Sequence, residues 1–376
     1  RSGWVECYSA KHIVILITMS FQDFLTLCAG ASAHRSLETH GLTPQSIGAL
    51  AGAAGGPKWL ILSALDRYLF DEWLPRSAQP IELVGSSIGA WRFAAACHPS
   101  DPGGAIDTLE QGYLAQRYSA NPDRNEITGT VRSIFEHFFN NDVLDGVLTH
   151  PRFRLHAVTV RSRLLVASEH RALLATGSAL GALSNVASRR ALNAFFERVV
   201  FSRTQGRVCW AADGLRTRTV ALTAANAHDA IFASGNIPLM MRGVVDPAGA
   251  PSGIYRDGGI ADYHIDQPMV ADDAAAPLVL MPHFDVRLVP GWFDKALPWR
   301  RPRFAANTLM IGPGPALRAK LVDGRVPDRK DFRRFAGDDA ARLTAWQQAI
   351  DAGRWMRDAF AEFAETDDPA RFVTPL

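Results

Sequence analysis

The chain has 376 residues, 47% hydrophobic and 21% charged, which is enough apolar material for a large core and excludes disordered, collagen-like and coiled-coil classes. Its 40 Lys and Arg against 38 Asp and Glu give a net charge of +2, so no global field marks a nucleic-acid binder. Cys7, Cys28, Cys97 and Cys209 lie far apart and form neither a C-x-x-C pair nor a metal quartet. Buried free thiols in a reducing, cytoplasmic compartment are the expectation, with no metal and no organic cofactor.

In chain order, the apolar run Ile13 to Ile17 is too short to span a bilayer, and Met19-Ser20-Phe21 has the form of a translation start. Residues 1–18 are therefore read as an extension, with a first strand as the alternative, and residues 19–376 as one domain. From Leu42 the pattern becomes short apolar runs, Gly-rich turns and helical stretches, as parallel βα units read. Ile47 to Leu50 predicts a strand, Gly52 to Gly56 a turn, and Trp59 to Trp73 a helix ended by Pro75. The unit repeats: a strand over Ile81 to Val84, the turn Gly85-Ser86-Ser87-Ile88-Gly89, and a helix from Ala90 to Cys97 closed before Pro99.

Residues 104–149 read as helical and Arg152 to Val160 as a strand. Residues 171–200, rich in Ala, Leu, Ser and Gly, read as packed helices that can cap a sheet. Thr217 to Leu222 predicts a strand, Asn226 to Ala233 a short helix, and Ile254-Tyr255 leads into the turn Asp257-Gly258-Gly259. Pro277 to Met281 is the last strand expected. Beyond it, about residues 300–376, with a helix from Asp338 to Glu365, read as an appended helical layer. The fold class is α/β with a mostly parallel central sheet.

Three features carry chemistry. Gly85-x-Ser87-x-Gly89 between strand and helix has the form of a nucleophile elbow, in which glycines permit a crowded turn that lifts the serine hydroxyl off the sheet. Upstream, Ala54-Gly55-Gly56-Pro57-Lys58 ends the preceding strand, where the amides of Gly55 and Gly56 can face an oxyanion; Pro57 has no N–H to offer. The nucleotide-binding loop needs Gly before Lys and Ser or Thr after it, places held here by Pro57 and Trp59. The third is Asp257-Gly258-Gly259, a turn that brings a carboxylate close to backbone.

In this order the three features resemble the patatin-like phospholipase family, and the stretch Ala230 to Pro238 is similar to that family's Ala-Ser-x-x-Ile-Pro segment. The resemblance covers roughly residues 45–285. It departs at Ala54 and Trp59, where the family's Gly-Gly-Gly-x-Lys/Arg-Gly loop has glycines. It implies a three-layer α/β/α sandwich and a Ser87-Asp257 dyad that cleaves carboxylic esters through an acyl-enzyme, as a phospholipase A or lysophospholipase does. It also implies Gly55 and Gly56 as oxyanion donors, Lys58 toward a substrate head group, and an acyl-ester lipid such as a phospholipid as substrate.

Two other readings stay open. The order Ser87, Asp257, His283 suits an α/β-hydrolase triad, and a catalytically silent lipid-binding member of the fold is the third reading. His264 is expected to bond locally rather than serve as a base. Val289 to Phe304 mixes Trp292, Phe293 and Trp299 with Lys295, Arg300, Arg301 and Arg303, either a packed surface loop or a peripheral contact with an anionic membrane surface.

Overall fold

A computed structural model describes residues 4–10, 13–204, 207–271 and 273–376. Of the N-terminal extension, residues 1–3 and 11–12 lie outside the described residues. Strands β1 (Trp4–Ala10) and β2 (Ile13–Met19) pair with each other, antiparallel and apart from the main sheet.

The remaining strands are β3 (Leu25–Ala29), β4 (Ile47–Gly52), β5 (Ile81–Ser86), β6 (Phe153–Ser162), β7 (Phe196–Ser202), β8 (Thr217–Ala221), β9 (Val244–Val245), β10 (Ile254–Asp257), β11 (Leu278–Pro282), β12 (Thr308–Pro313) and β13 (Thr374–Pro375). Among the described residues they form an eleven-stranded sheet in the order β13-β3-β12-β11-β4-β5-β6-β10-β9, with β7 also on β6 and β8 on β7. The run β12-β11-β4-β5-β6 is wholly parallel. Antiparallel pairs appear to either side of it, at β3 on β12 and at β7 and β10 on β6. Every residue of β5 and β11 is buried, so both faces of the sheet's middle are covered, as parallel sheets require. The fold is α/β with a mostly parallel central sheet.

Four expectations need correction. Residues 171–200 are not helical throughout: the helix Arg171–Ala187 and the short turn Arg189–Ala194 lead into β7, whose Phe196, Val199, Val200 and Phe201 favour strand backbone. The C-terminal part is not a helical layer alone, because β12 inserts between β3 and β11, while the helix Asp339–Ala364 packs mainly on the segment Gly56–Arg67. Pro277 to Met281 is accordingly not the last strand. Trp59 to Trp73 is not one regular helix: it begins within a 3-10 turn (Gly56–Leu62), passes through α-helix (Ser63–Arg67) and widens to a π-helical turn (Tyr68–Trp73).

Candidate active site

β5 runs straight into the helix Ile88–Ala96, and Ser87 between them is forced to φ 56°, ψ −127°. A serine held at positive φ costs on the order of 1–3 kcal/mol, which the surrounding packing must impose. The two motif glycines show how. A Cβ on Gly89 would lie 2.0 Å from the carbonyl oxygen of Gly52, and one on Gly85 2.5 Å from the backbone of Ala90. The helix can fold back onto its own strand and onto the end of β4 only where side chains are missing, and that tight return pushes the Ser87 side chain outward.

The meeting of Ser87 with Asp257 follows from sheet register. β7 pairs with β6 along residues 156–162, which fills one edge of β6. β5 and β10 must therefore share the other edge: β5 runs up it to Ser86 opposite Val158, and β10 comes down it to Asp257 opposite Thr159. Two strands thus end nose to nose at consecutive positions of a third, so residues 170 positions apart in sequence lie side by side. The Ser87 hydroxyl donates to Asp257 Oδ2 at 3.0 Å.

One short segment clips both residues in place. The Ser87 N–H donates to the Ser234 hydroxyl at 2.8 Å, and that hydroxyl donates to the Val158 carbonyl at 2.6 Å. Two residues on, the Asn236 carbonyl accepts the Asp257 N–H at 3.0 Å. The sequence marked Ala230 to Pro238 without giving Ser234 or Asn236 a task; only the register of β6 reveals one.

Asp257 is buried, and that burial pushes its carboxyl above the ordinary carboxylate range. The Gly259 N–H, which donates to Oδ1 at 2.7 Å, opposes this, as do the charge of Arg329, the Ser87 hydroxyl and the charge of Lys295. The net effect is upward, so the carboxylate is a stronger base than a solvated one.

The cleft in front of the pair is lined by Ala54, Gly55, Ile237, Pro238, Tyr263, Trp292 and Arg329 among others, and its void including the open mouth is about 330 Å³. Among the described residues, the Gly55 and Gly56 amides donate to no other protein group, whereas the Ala54 amide is used by the Tyr263 carbonyl at 2.8 Å. The Ile88 amide, at the first position of the helix after Ser87, is likewise uncommitted and carries the helix's positive end. Gly55 lines the cleft together with Ser87; Gly56 does not.

Lys58 is not among the residues that line the cleft. Its Nζ lies 3.5 Å from Asp328 and 5.1 Å over the Phe284 ring. Two cations that no motif announces stand closer in: Arg329, which lines the cleft, and Lys295, whose ammonium sits 3.6 Å over the Tyr263 ring. Lys295 is pushed down to about 7, by desolvation first and then by the charges of Lys58 and Arg329. Both cations belong to loops that follow β11 and β12, beyond the stretch that carries the motifs.

His283 bonds the backbone of its own loop, with Nδ1 2.7 Å from the Asp285 carbonyl oxygen and 2.9 Å from its nitrogen, and its ring stacks on Phe284. Burial pushes it down to about 4. The His264 Nδ1 accepts the N–H of Val289 at 2.9 Å, a partner 25 positions along the chain rather than in its own turn. Neither ring bonds Ser87 or Asp257. Among the described residues no group of three His, Cys, Asp or Glu side chains is placed to hold a metal ion. No protein-family model matches the chain, and a search of curated proteins gives no match either.

Proposed function

We propose that the chain is a serine acyl hydrolase of patatin-like phospholipase type, built as that family's three-layer α/β/α sandwich and acting on lipid acyl esters. The observation that carries this reading is the 3.0 Å bond from the Ser87 hydroxyl to the buried Asp257, made by a serine at an elbow of φ 56°. A hydroxyl held this way has a base within reach and an open cleft in front of it.

In the first step Ser87 Oγ attacks the ester carbonyl carbon and its proton passes to Asp257. The carbonyl oxygen takes the negative charge, facing the amides of Gly55 and Ile88. The tetrahedral intermediate collapses as Asp257 returns the proton to the leaving alcohol, and Ser87 keeps the acyl group. Water then attacks the acyl carbon, gives its proton to Asp257, and the acid leaves as Ser87 recovers its hydrogen. A free Asp, with a pKa near ~3.9, is a weak base toward an alcohol. The burial that raises Asp257 and the oxyanion donors together support the step, a preorganised donor contributing about 2.7–4 kcal/mol.

His283 draws no comparable support: it bonds the backbone of Asp285, makes no bond to Ser87 or Asp257, and does not line the cleft. Treating the protein with a fluorophosphonate and locating the adduct by mass spectrometry tests the reading. Phosphonylation of Ser87 together with turnover of a short p-nitrophenyl ester is the expected outcome; an adduct on another serine, or none, rejects it.

A further inference from the structure

The helix Arg171–Ala187 is anchored firmly yet faces solvent with an uncharged surface. Its inner face buries Leu174, Gly177, Gly181 and Asn185, and a Cβ on Gly177 would already press on Val166 and Leu165. Asn185 Nδ2 donates to Asp294 Oδ1 at 2.7 Å, and Arg300 donates to the Asn185 carbonyl at 2.7 Å. The outward face carries Ala172, Thr176, Ala179, Leu180, Leu183 and Ala187, with Leu173 and Val186 at its margins. Leu183 is 67% exposed, Val186 48%, and Leu173 and Leu180 44% each. Over seventeen residues the one charged side chain is Arg171, at the first position.

A water-facing helix normally shows charged residues on its outer arc, and side chains of this size exposed along roughly 25 Å mark a surface that something covers. We infer that this helix, together with the loop carrying Trp292 and Trp299, docks the protein on an anionic lipid bilayer. Charge and continuity select that occupant. Arg171 starts the helix and Arg190 follows it, while the exposed Arg301 and Arg303 lie just past Trp299, itself 62% exposed. Of the carboxylates beside these segments, Asp294 pairs with Arg189 at 2.9 Å and Glu169 with Arg256 at 2.6 Å, while Asp266 is buried and accepts the amides of Arg303 and Phe304. Leucines that enter the acyl boundary, tryptophans at head-group depth and arginines facing lipid phosphates are the parts an interfacial helix uses.

The surface is also continuous with the cleft. Asp294, which fixes the helix through Asn185, belongs to the turn Trp292–Ala296, and Trp292 lines the cleft in front of Ser87. A bilayer seated on the helix thus meets the mouth through which a lipid would enter. The docking does not depend on the chemistry proposed for Ser87, and the test keeps the two apart.

Co-sedimentation of the full chain is measured with vesicles of phosphatidylglycerol and phosphatidylcholine and with vesicles of phosphatidylcholine alone. Binding is expected on the anionic vesicles, equally for Ser87→Ala, and to fall at least about tenfold for the exposed pair Leu180→Glu with Leu183→Glu. That pair should keep its turnover of a soluble short-chain ester within about twofold, showing that it is folded. No binding to the anionic vesicles overturns the inference, as does binding that the leucine pair leaves unchanged. A dimer by light scattering that the same pair dissolves also overturns it, because the helix is then covered by a second copy of the chain.

Discussion

β5 carries a hydrogen-bonded polar cluster near each end, and the two differ in a way that locates the chemistry. Near its start, Glu82 accepts from Arg154 at 3.0 Å and from Thr204 at 3.0 Å and meets His156 Nε2 at 2.7 Å, while His156 Nδ1 meets the Ser202 hydroxyl at 2.9 Å. Serine, histidine and carboxylate stand there in the order of a catalytic triad. Yet Ser202 lies in ordinary strand backbone, the three are buried, and none lines the cleft. Burial alone pushes Glu82 up, but His156, Arg154 and Thr204 together hold it below the usual carboxylate range. At the other end Ser87 has only Asp257, but it has a strained backbone, uncommitted amides and an opening. A hydroxyl bonded to a base is thus an insufficient mark of a nucleophile; strain and access distinguish the reactive cluster from the structural one.

Replacing the carboxylate at each end gives the widest separation. Asp257→Asn should lower turnover about a thousandfold, since the base is lost while the shape is kept. Stability should move the other way. A carboxyl whose folded pKa is raised contributes stability that is full below its unfolded pKa and lost as pH rises through the folded one. At neutral pH that loss is in force, and an asparagine escapes it, so the Tm should rise by about 1–3 °C. Glu82→Gln should do the opposite, leaving turnover within about twofold and lowering the Tm. The stability Glu82 contributes is present above its unfolded pKa and vanishes as pH falls through its lowered folded value, so the deficit of the variant should shrink in acid. Thermal melts and ester kinetics on the two proteins decide it; a Glu82→Gln protein that folds but turns nothing over would place chemistry at the wrong end of β5.

The next effect is on the oxyanion side. A Cβ at Gly55 would lie 2.6 Å from the Phe284 ring. The loop must shift, and its amide with it. Gly55→Ala should therefore lower kcat about a hundredfold with KM changed little, the pattern of a donor that acts in the transition state. An equal loss in KM with kcat intact would mean that the loop binds substrate only.

How much of this the sequence announces depends on how local each cause is. The elbow is legible because strand, glycines, serine and helix lie within sixteen residues, Ile81 to Ala96, and each has a steric reason to be where it is. Asp257 is legible only through resemblance, because its approach to Ser87 arises from β5 and β10 sharing one edge of β6, which no short-range pattern encodes. β7 escaped because Phe196 to Ser202 follows an Ala- and Leu-rich helix with no glycine or proline to announce the change of period. β12 escaped because a single apolar run, Thr308 to Ile311, stands among polar loops and helices far from the motifs. Arg329 and Lys295 had no signal at all: isolated cations in loops look alike until the fold brings some of them to a cleft.

Those two cations supply the smallest and most specific effect, a displacement along the pH axis. The dyad needs Asp257 ionised, so kcat/KM should rise with pH through the raised pKa of Asp257 and then level off. Arg329 opposes that raise by its charge, and Lys295 does the same while it is protonated. Arg329→Gln should therefore move the acid limb to higher pH, leave the plateau within about twofold, and be partly restored by Arg329→Lys. The displacement is kept small by the pair itself, because removing Arg329 also relieves Lys295, which Arg329 pushes down, and the lysine then holds its proton to higher pH. Added salt should narrow the gap between wild type and variant, since Arg329 is partly exposed and its field is screened. A plateau that falls while the limb stays in place would mean that Arg329 acts on the substrate rather than on the base.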